Sequence, residues 1–192
     1  MTFSTSYSGI GTPEYAFAAI QASTGITMTP VWSLERNAAC RAELLNLGRL
    51  HHGSRPCVFG DVLDVIVDPI WRRRLGCDRG IPELSPAELL RKRLPRTPVS
   101  TECKCFAHRG VTHRLVPTDV HVAGTTCTDH SLLGTLNRGD GKNVKFYFVW
   151  VAIMRELRPP VIVHENVVGF GFSGLQADLG DLYVICPSRF CA

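Results

Sequence analysis

The sequence predicts an α/β fold built on a doubly wound, mostly parallel sheet. Five short apolar runs, at residues 2–7, 28–34, 56–59, 119–123 and 161–164, have the length and composition of buried strands. Longer segments of helical composition separate most of these runs, and such alternation is typical of βαβ units with parallel strands. A chain of 192 residues is long enough to bury one sizeable core, so we expect one domain.

The helices expected between the strands follow from composition and from start signals. Residues 14–22 are rich in Ala and follow Pro13, which suits a first helical turn because its missing N–H is no loss there. Further helices are expected at residues 37–47, 144–157 and 172–179, and a further strand at residues 182–186.

More chain lies between the third and fourth strands than one helix requires, so the single domain of residues 1–192 is expected to contain an insert at about residues 68–115. A capping box at residues 85–88 predicts a short basic helix over residues 86–93. Residues 68–114 hold eleven Lys or Arg against five Asp or Glu, whereas the whole chain has a formal net charge of +4. This excess is expected of a segment that faces a polyanion, and a merely solvated basic loop is an equal alternative.

Cysteine and histidine also cluster in the insert. Cys103, Cys105 and His108 form a Cys-x-Cys-x-x-His pattern, and His113 follows. Thiolates and imidazoles are the ligands that zinc prefers, so a zinc site with these four residues is one interpretation. The Cys-x-Cys spacing is tight and the loop is small. We therefore favour a solvated loop and predict no metal site.

Composition excludes several classes of protein. No run of eighteen apolar residues is present, so no membrane partner is expected. No signal peptide precedes the first strand, and eight scattered cysteines are too few for a secreted disulfide scaffold. We therefore expect reduced thiols and an intracellular location, the nucleus in a eukaryotic cell and the cytoplasm otherwise. The sequence contains no signal for a particular oligomeric state.

Three successive strand ends contain residues suited to an adenosine-containing cofactor. Gly9 and Gly11 follow the first strand, and closely spaced glycines let the backbone pass near a ligand, although ordinary tight turns use the same pattern as often. Glu35 ends the second strand, 24 residues after Gly11. An acid at that place commonly accepts hydrogen bonds from ribose hydroxyls. Asp61 follows the third strand.

Two later strand ends contain candidate catalytic groups. Cys127 follows the strand at residues 119–123, and Glu165 and Asn166 follow the strand at residues 161–164. The carboxyl ends of parallel strands share one edge of the sheet, where open α/β sheets bind their ligands. A thiol and an acid at that edge are the groups needed to add a thiolate to an electron-poor ring and to protonate it.

These segments resemble the motifs of the DNA (cytosine-5) methyltransferases. That family has a Phe-x-Gly-x-Gly-Gly turn, which Tyr7, Gly9 and Gly11 match. It has a nucleophilic Cys at a strand end, which Cys127 matches, and a Glu-Asn-Val after a later strand, which residues 165–167 match in full. The resemblance implies a sheet of the S-adenosylmethionine-dependent methyltransferase (Rossmann-like) type.

The resemblance also implies a cofactor, a partner and a role for each residue. S-adenosylmethionine would be bound by Tyr7, Gly9, Gly11, Glu35 and Asp61. Among these, Asp61 would accept a hydrogen bond from the adenine amino group. The partner would be DNA from which a cytosine is flipped out. Cys127 would attack carbon 6 of this cytosine, Glu165 would hold ring nitrogen 3 in its protonated form, and Asn166 would hold the loop around Cys127.

Two alternatives remain open. A tRNA cytosine methyltransferase shares every one of these motifs. A non-catalytic remnant, which binds the cofactor or merely folds, is favoured by Thr12, Thr126 and Thr128, which stand where the family has Gly, Pro and Gln. The family's Gln-x-Arg-x-Arg strand and target-recognition region have no counterpart up to Ala192. We therefore expect the chain to be an incomplete enzyme that does not turn over alone.

Overall fold

A computed structural model of the chain describes residues 1–51, 55–75, 88, 98–125, 143–167, 170 and 172–188. The strands are β1 (Thr2–Ser6), β2 (Thr29–Leu34), β3 (Cys57–Phe59), β4 (Glu102–Lys104), β5 (Thr112–Arg114), β6 (Val120–Gly124) and β7 (Val161–Glu165). Five of them form one sheet in the order β3-β2-β1-β6-β7, and every pairing in it is parallel. β4 and β5 form a separate antiparallel hairpin.

The helices flank this sheet. They are α1 (Thr12–Thr24), α2 (Ala38–His51), α3 (Pro69–Arg74), α4 (Val144–Leu157) and α5 (Phe172–Leu179), with a short 3₁₀ helix at Val62–Val65. The strand order runs outward from β1 to β3 and then resumes on the other side of β1 with β6, so the sheet is doubly wound. The predicted fold class is therefore confirmed. None of the described helices has both the length and the apolar character needed to cross a membrane.

One local prediction was wrong. Residues 182–186, expected as a strand, are irregular. The N–H groups of Leu182 and Tyr183 instead turn back to the carbonyl of Leu179 at the end of α5, and the side chain of Val184 is 93% exposed. The end of the helix therefore takes up the backbone donors that a strand would have used. The helix predicted over residues 86–93 lies outside the described residues apart from Glu88.

Alternation along the strands sends neighbouring side chains to opposite faces of the sheet. On one face, the hydroxyl of Ser33 donates a hydrogen bond to Glu14 of α1 (2.9 Å). α2 lies on the same face, where its Leu47 meets the start of α1. On the opposite face, the Trp32 ring packs 5.2 Å from the ring of His121. The helices therefore form one layer on each side of the sheet.

A chain of hydrogen bonds runs through the core beneath α4. The indole N–H of Trp150 donates to Nε2 of the buried His121 (3.2 Å), so Nδ1 has the proton and donates to the Ser4 hydroxyl (2.8 Å). The Ser4 hydroxyl in turn bonds to that of Thr118 (2.8 Å). Burial, and secondarily the nearby His164, lower the pKa of His121 to about 3. The imidazole is therefore neutral, as these bonds require.

The other face of β1 meets a buried carboxyl group. Glu14 is 5% exposed, and its Oε1 accepts hydrogen bonds from the hydroxyls of Thr5 (2.7 Å) and Ser33 (2.9 Å). Its Oε2 is buried and makes no hydrogen bond to a described residue. Burial raises the pKa of Glu14 above its ordinary value, so the folded protein favours the protonated carboxyl.

We expect Glu14→Gln to stabilise the protein more at high pH than at low pH. A carboxyl whose pKa is raised by folding contributes stability below its unfolded pKa, and this contribution is lost as the pH rises through the folded pKa. Glutamine is neutral throughout and keeps an acceptor for Thr5 and Ser33. Urea unfolding at about pH 4 and about pH 8 measures this effect. The free energy of unfolding of wild type, relative to that of the variant, should be lower at pH 8 than at pH 4.

The matched control for this experiment is Glu156→Gln, on the exposed side of α4. Its free energy of unfolding should follow that of wild type at both pH values. A Glu14→Gln variant that also tracks wild type at both values would contradict a buried carboxyl whose pKa is raised by folding.

Candidate functional site

A cleft of about 590 Å³ opens at the carboxyl edge of the sheet, beside the ends of β1, β2 and β3. This volume is typical of cofactor and small-molecule pockets. Its lining includes Tyr7, Glu35, Arg36, Gly60, Asp61 and Phe146. Three predicted cofactor residues, Tyr7, Glu35 and Asp61, thus come from three different strand ends and meet at one cleft.

Glu35 joins two of these strand ends. Its Oε2 accepts a hydrogen bond from the N–H of Gly9 (2.8 Å), and its Oε1 accepts one from the N–H of Asn37 (2.6 Å). Only 9% of the residue is exposed, at the wall of the cleft. A carboxylate oxygen accepts more than one hydrogen bond, so both oxygens retain capacity for a ligand hydroxyl. Glu35 therefore holds two strand ends together and still has capacity to accept further hydrogen bonds.

Asp61 also has two roles. Its Oδ1 accepts the N–H of Leu63 (3.0 Å), which caps the 3₁₀ helix. Its Oδ2 lies 3.4 Å from Nε of Arg36, whose side chain is 71% exposed. The Arg36 guanidinium lies 5.6 Å from the centre of the Phe146 ring, so this side chain spans the mouth of the cleft. Exposed ion pairs contribute little to stability, so a ligand can displace Arg36 from Asp61 at small cost.

Tyr7 connects the end of β1 to the start of α4. Its backbone has a positive φ of 58°, and its hydroxyl donates a hydrogen bond to the carbonyl of Phe146 (2.7 Å). Burial, followed by the charges of Asp61 and Glu35, raises the pKa of Tyr7 well above its ordinary value. The phenol therefore stays protonated and acts as a donor beside the two acids.

The two glycines of the first turn differ in what a side chain at each position would meet. Gly9 has a φ of +55°, and a Cβ added there would meet nothing within 4 Å. Gly11 has a φ of +93°, and a Cβ there would collide with Leu47 of α2. Gly9, whose N–H is bonded to Glu35, therefore has open space beside it, but neither glycine lines the cleft. Gly11 is required for the packing of α1 on α2.

The ends of β6 and β7 bring a second set of residues together. Gly124 of β6 is paired with Glu165 of β7 in the sheet. A Cβ added at Gly124 would lie 3.4 Å from Oε2 of Glu165 and 4.0 Å from the carbonyl oxygen of Tyr7. The exposed Glu165 carboxylate therefore stands at the carboxyl edge of the sheet, on the side of Gly124 that also faces the end of β1.

Asn166 holds the backbone at the end of β6. Its Nδ2 donates hydrogen bonds to the carbonyl oxygen and to the hydroxyl of Thr125, each at 3.0 Å. The same hydroxyl is bonded to Nε2 of His164 (2.7 Å), and burial lowers the pKa of His164 to about 4. Cys127, two residues further on, lies outside the described residues, so its role as the nucleophile stays a prediction.

The structure groups a different set of candidate zinc ligands from the set expected from the sequence. Cys105, His108 and His113 come together, and the fourth member of the group is Cys57 of β3. Cys103 is outside this group. Burial and the nearby Asp64 raise the pKa of the Cys103 thiol to about 12, so it is a core thiol.

Among the residues of these sites that were not predicted from the sequence are Arg36, Phe146 and Cys57. Arg36 directly follows Glu35, but a lone surface arginine has no pattern that marks it. Phe146 falls in a segment predicted as a buried helix, which gives no sign that its first turn borders a cleft. Cys57 is 51 residues from His108 along the chain, so no local spacing connects them.

No protein-family model matches the chain, and no curated protein matches it. The fold and the cleft together define a doubly wound α/β domain with two carboxylates and a phenol in one cleft at the carboxyl edge of its sheet.

We expect Thr125→Val to lower the free energy of unfolding by about 1–3 kcal/mol. Valine has the shape of threonine but no hydroxyl, so His164 and Asn166 each lose a hydrogen-bond partner. Thr125→Ser keeps the hydroxyl and should cost less. Urea unfolding of wild type and both variants measures the difference. An equal loss in the two variants would mean that the methyl group, and not the hydroxyl, matters at this position.

Proposed function

We propose that the chain binds S-adenosylmethionine in the cleft and transfers its methyl group to carbon 5 of cytosine in DNA. The observation behind this proposal is the meeting of Tyr7, Glu35 and Asp61 in one cleft, at the edge where doubly wound sheets bind ligands. The resemblance of the chain to the DNA (cytosine-5) methyltransferases supports it further, through Cys127 and residues 165–167 at neighbouring strand ends.

The cleft has the chemistry that an adenosine-containing cofactor needs. Ribose hydroxyls and the adenine amino group are hydrogen-bond donors, and Glu35 and Asp61 offer acceptors. Glu35 would accept from the ribose hydroxyls, and Asp61 would accept from the amino group once Arg36 has moved aside. The rings of Tyr7 and Phe146 provide apolar surface. A volume of about 590 Å³ is within the range of cofactor pockets.

S-adenosylmethionine, when bound, supplies an electrophilic methyl group. The chain's own chemistry begins with the Cys127 thiolate, which forms a bond to carbon 6 of a flipped-out cytosine and moves an electron pair towards carbon 5. A proton held between Glu165 and ring nitrogen 3 offsets the charge that develops on the ring. After carbon 5 has gained the methyl group, loss of its proton to a base restores the double bond and expels the Cys127 thiolate.

Asn166 is a positioning residue in this scheme. Its two hydrogen bonds to Thr125 hold the backbone two residues before Cys127. The orientation of a nucleophile affects the rate strongly, because a well-placed group needs no further ordering before it reacts.

The described part of the basic insert offers four exposed basic side chains to a polyanion, those of Arg73, Lys104, Arg109 and Arg114. Arg72 donates a hydrogen bond to the carbonyl of Ile66 (3.2 Å), and Arg74 lies over the Trp71 ring, 5.3 Å from its centre. Arg73, between them, is exposed. Contacts of such side chains with phosphates do not depend on the nucleotide sequence, and they weaken as the salt concentration rises. The basic cluster at residues 91–93 lies outside the described residues.

Two alternative functions use the same cleft. A tRNA cytosine methyltransferase would perform the same chemistry on a different polynucleotide. A cofactor-binding domain without catalysis would keep Glu35 and Asp61 as acceptors but would have no reactive thiol. The experiments below separate these alternatives.

The first experiment replaces Asp61 with Asn. The amide oxygen keeps the hydrogen bond from Leu63, whereas the amide nitrogen places a donor where the adenine amino group needs an acceptor. We expect calorimetry to show S-adenosylmethionine binding weakened by about 1–3 kcal/mol, or roughly 5- to 150-fold.

Asp68→Asn is the matched control for this substitution. Asp68 likewise caps a helix, because its Oδ1 accepts the N–H of Ile70 (2.7 Å), but it does not line the cleft. The affinity of the Asp68→Asn variant for S-adenosylmethionine should equal that of wild type. Unchanged binding by Asp61→Asn would contradict the cofactor assignment, and equal weakening by both variants would point to net charge instead.

The second experiment traps the covalent adduct. A duplex that contains 5-fluorocytosine has no proton to lose from carbon 5 after methylation, so the enzyme stays attached to it. With S-adenosylmethionine present, we expect an adduct with the mass of protein plus DNA. Cys127→Ala should form none. Cys186→Ala, which removes an exposed free thiol, should behave as wild type.

Each outcome of the trapping experiment decides between functions. An adduct formed by Cys127→Ala would remove Cys127 as the nucleophile. Trapping on a 5-fluorocytosine tRNA but not on the DNA duplex would favour the tRNA methyltransferase. Trapping on neither, by a protein that binds S-adenosylmethionine normally, would identify a non-catalytic binding domain.

A further inference from the structure

Two thiols and two imidazoles form a compact group where the β4–β5 hairpin meets the edge strand β3. Cys57 lies in β3, and Cys105, His108 and His113 belong to the hairpin and its loop. Sγ of Cys57 lies 3.1 Å from Nδ1 of His113 and 3.7 Å from Nδ1 of His108. Sγ of Cys105 lies 3.2 Å from Nδ1 of His108. All four ligand atoms lie within 4.8 Å of one another.

These separations match a tetrahedral metal site. With Zn–S bonds of about 2.3 Å and Zn–N bonds of about 2.0–2.1 Å, the ligand atoms of a tetrahedron lie roughly 3.3–3.8 Å apart. The three measured S–N separations of 3.1, 3.2 and 3.7 Å are close to this range. The rings of His108 and His113 are stacked with their centres 4.5 Å apart, and both present Nδ1 to the thiols.

The backbone of the loop brings the ligands into a small volume. The N–H of Cys105 donates to the carbonyl of Val111 (2.9 Å), and the N–H of Gly110 donates to the carbonyl of Cys105 (2.8 Å). Arg109 and Gly110 both have positive φ values, of 56° and 78°. Two consecutive left-handed residues reverse the chain within a few positions, so the ligands before and after the turn face the same point.

The loop is attached to the sheet next to the fourth ligand. The N–H of Phe106 donates to the carbonyl of Val58 (2.7 Å), which directly follows Cys57 in β3. The N–H of Ser100 donates to the carbonyl of Val65 (2.8 Å) and attaches the approach to the hairpin in the same way. An ion at this place would therefore connect the insert to the edge strand.

We propose that Cys57, Cys105, His108 and His113 bind one zinc ion in a tetrahedral site. Two thiolates and two neutral imidazoles, each through Nδ1, would supply all four positions. A site with four protein ligands has no open position for a substrate, so its role is structural. It fastens the insert to β3. This proposal differs from the sequence-based expectation of no metal site, and it has Cys57 in the place of the candidate Cys103.

Two metal-free arrangements would also bring these side chains together. One is a set of hydrogen bonds between neutral thiols and imidazoles. The other is a disulfide between Cys57 and Cys105, which are both free thiols in the structure. The experiment must therefore separate a bound ion from both.

The metal content of the purified full chain is the first measurement. The protein is produced with zinc in the medium, dialysed against a weak chelator and analysed by inductively coupled plasma mass spectrometry. We expect one zinc per chain in wild type and in Cys103→Ser, and a clear loss of zinc in Cys57→Ser. Cys103→Ser is a matched control because it removes a buried thiol of the same hairpin that is outside the group.

Two measurements on wild type keep the proposal testable if Cys57→Ser fails to fold. Replacement of zinc by Co²⁺ should produce the intense visible bands of a tetrahedral site and a thiolate charge-transfer band. Alkylation should find two thiols that become reactive only after a strong chelator has removed the ion. Neither measurement needs cofactor or DNA, so the result is independent of the proposed function.

Several results would overturn the proposal. Wild-type protein without bound zinc, or with the weak spectrum of octahedral Co²⁺, would leave the hydrogen-bonded group as the explanation. A Cys57–Cys105 linkage found by mass spectrometry would establish the disulfide. Zinc lost equally in Cys103→Ser and Cys57→Ser would contradict the choice of ligands.

Discussion

The structure depends on how the central strand β1 satisfies two of its buried polar side chains, Ser4 and Thr5. Ser4 and Thr5 are at most 1% exposed, and a buried hydroxyl without a partner costs about 1–3 kcal/mol. Because the two side chains point to opposite faces, each face of the sheet must provide a partner. His121 provides it on one side and Glu14 on the other. The helix layers are thereby held at defined positions: α1 carries Glu14 itself, and α4 bonds to His121 through Trp150.

The cleft follows from the same arrangement. β1 lies beside the point where the strand order reverses, and the cleft opens at the ends of β1, β2 and β3. Glu35 connects two of these loops through Gly9 and Asn37, and Tyr7 connects β1 to the first turn of α4 at Phe146. The groups that line the cleft are therefore already held by the fold. A preorganised site loses less conformational freedom when a ligand binds.

The insert packs against one of the residues that line this cleft, Gly60. Phe106, in the loop with the proposed zinc ligands, packs so closely on Gly60 that a Cβ there would lie 3.2 Å from its ring. The guanidinium of Arg41 lies 4.2 Å from the centre of the same ring. Gly60 directly precedes Asp61 at the end of β3. An ion that fixes the loop would therefore also steady the position of Asp61, although the two proposals rest on separate observations.

The sequence by itself determined the alternation of strands and helices, because short apolar runs separated by longer helical segments are the pattern of βαβ units. It also located Glu35 and Asp61, since the length of a βα unit sets where each strand end falls. It did not show that the edge strand β7 is only partly buried, with Val161 and Val163 each 49% exposed. Only the tertiary structure decided that Cys57 joins the hairpin thiol and imidazoles, and that Phe146 borders the cleft, because those contacts join segments far apart in the chain. The same limit explains residues 182–186: a strand forms only where a neighbour pairs its backbone, and neighbours are a property of the folded chain.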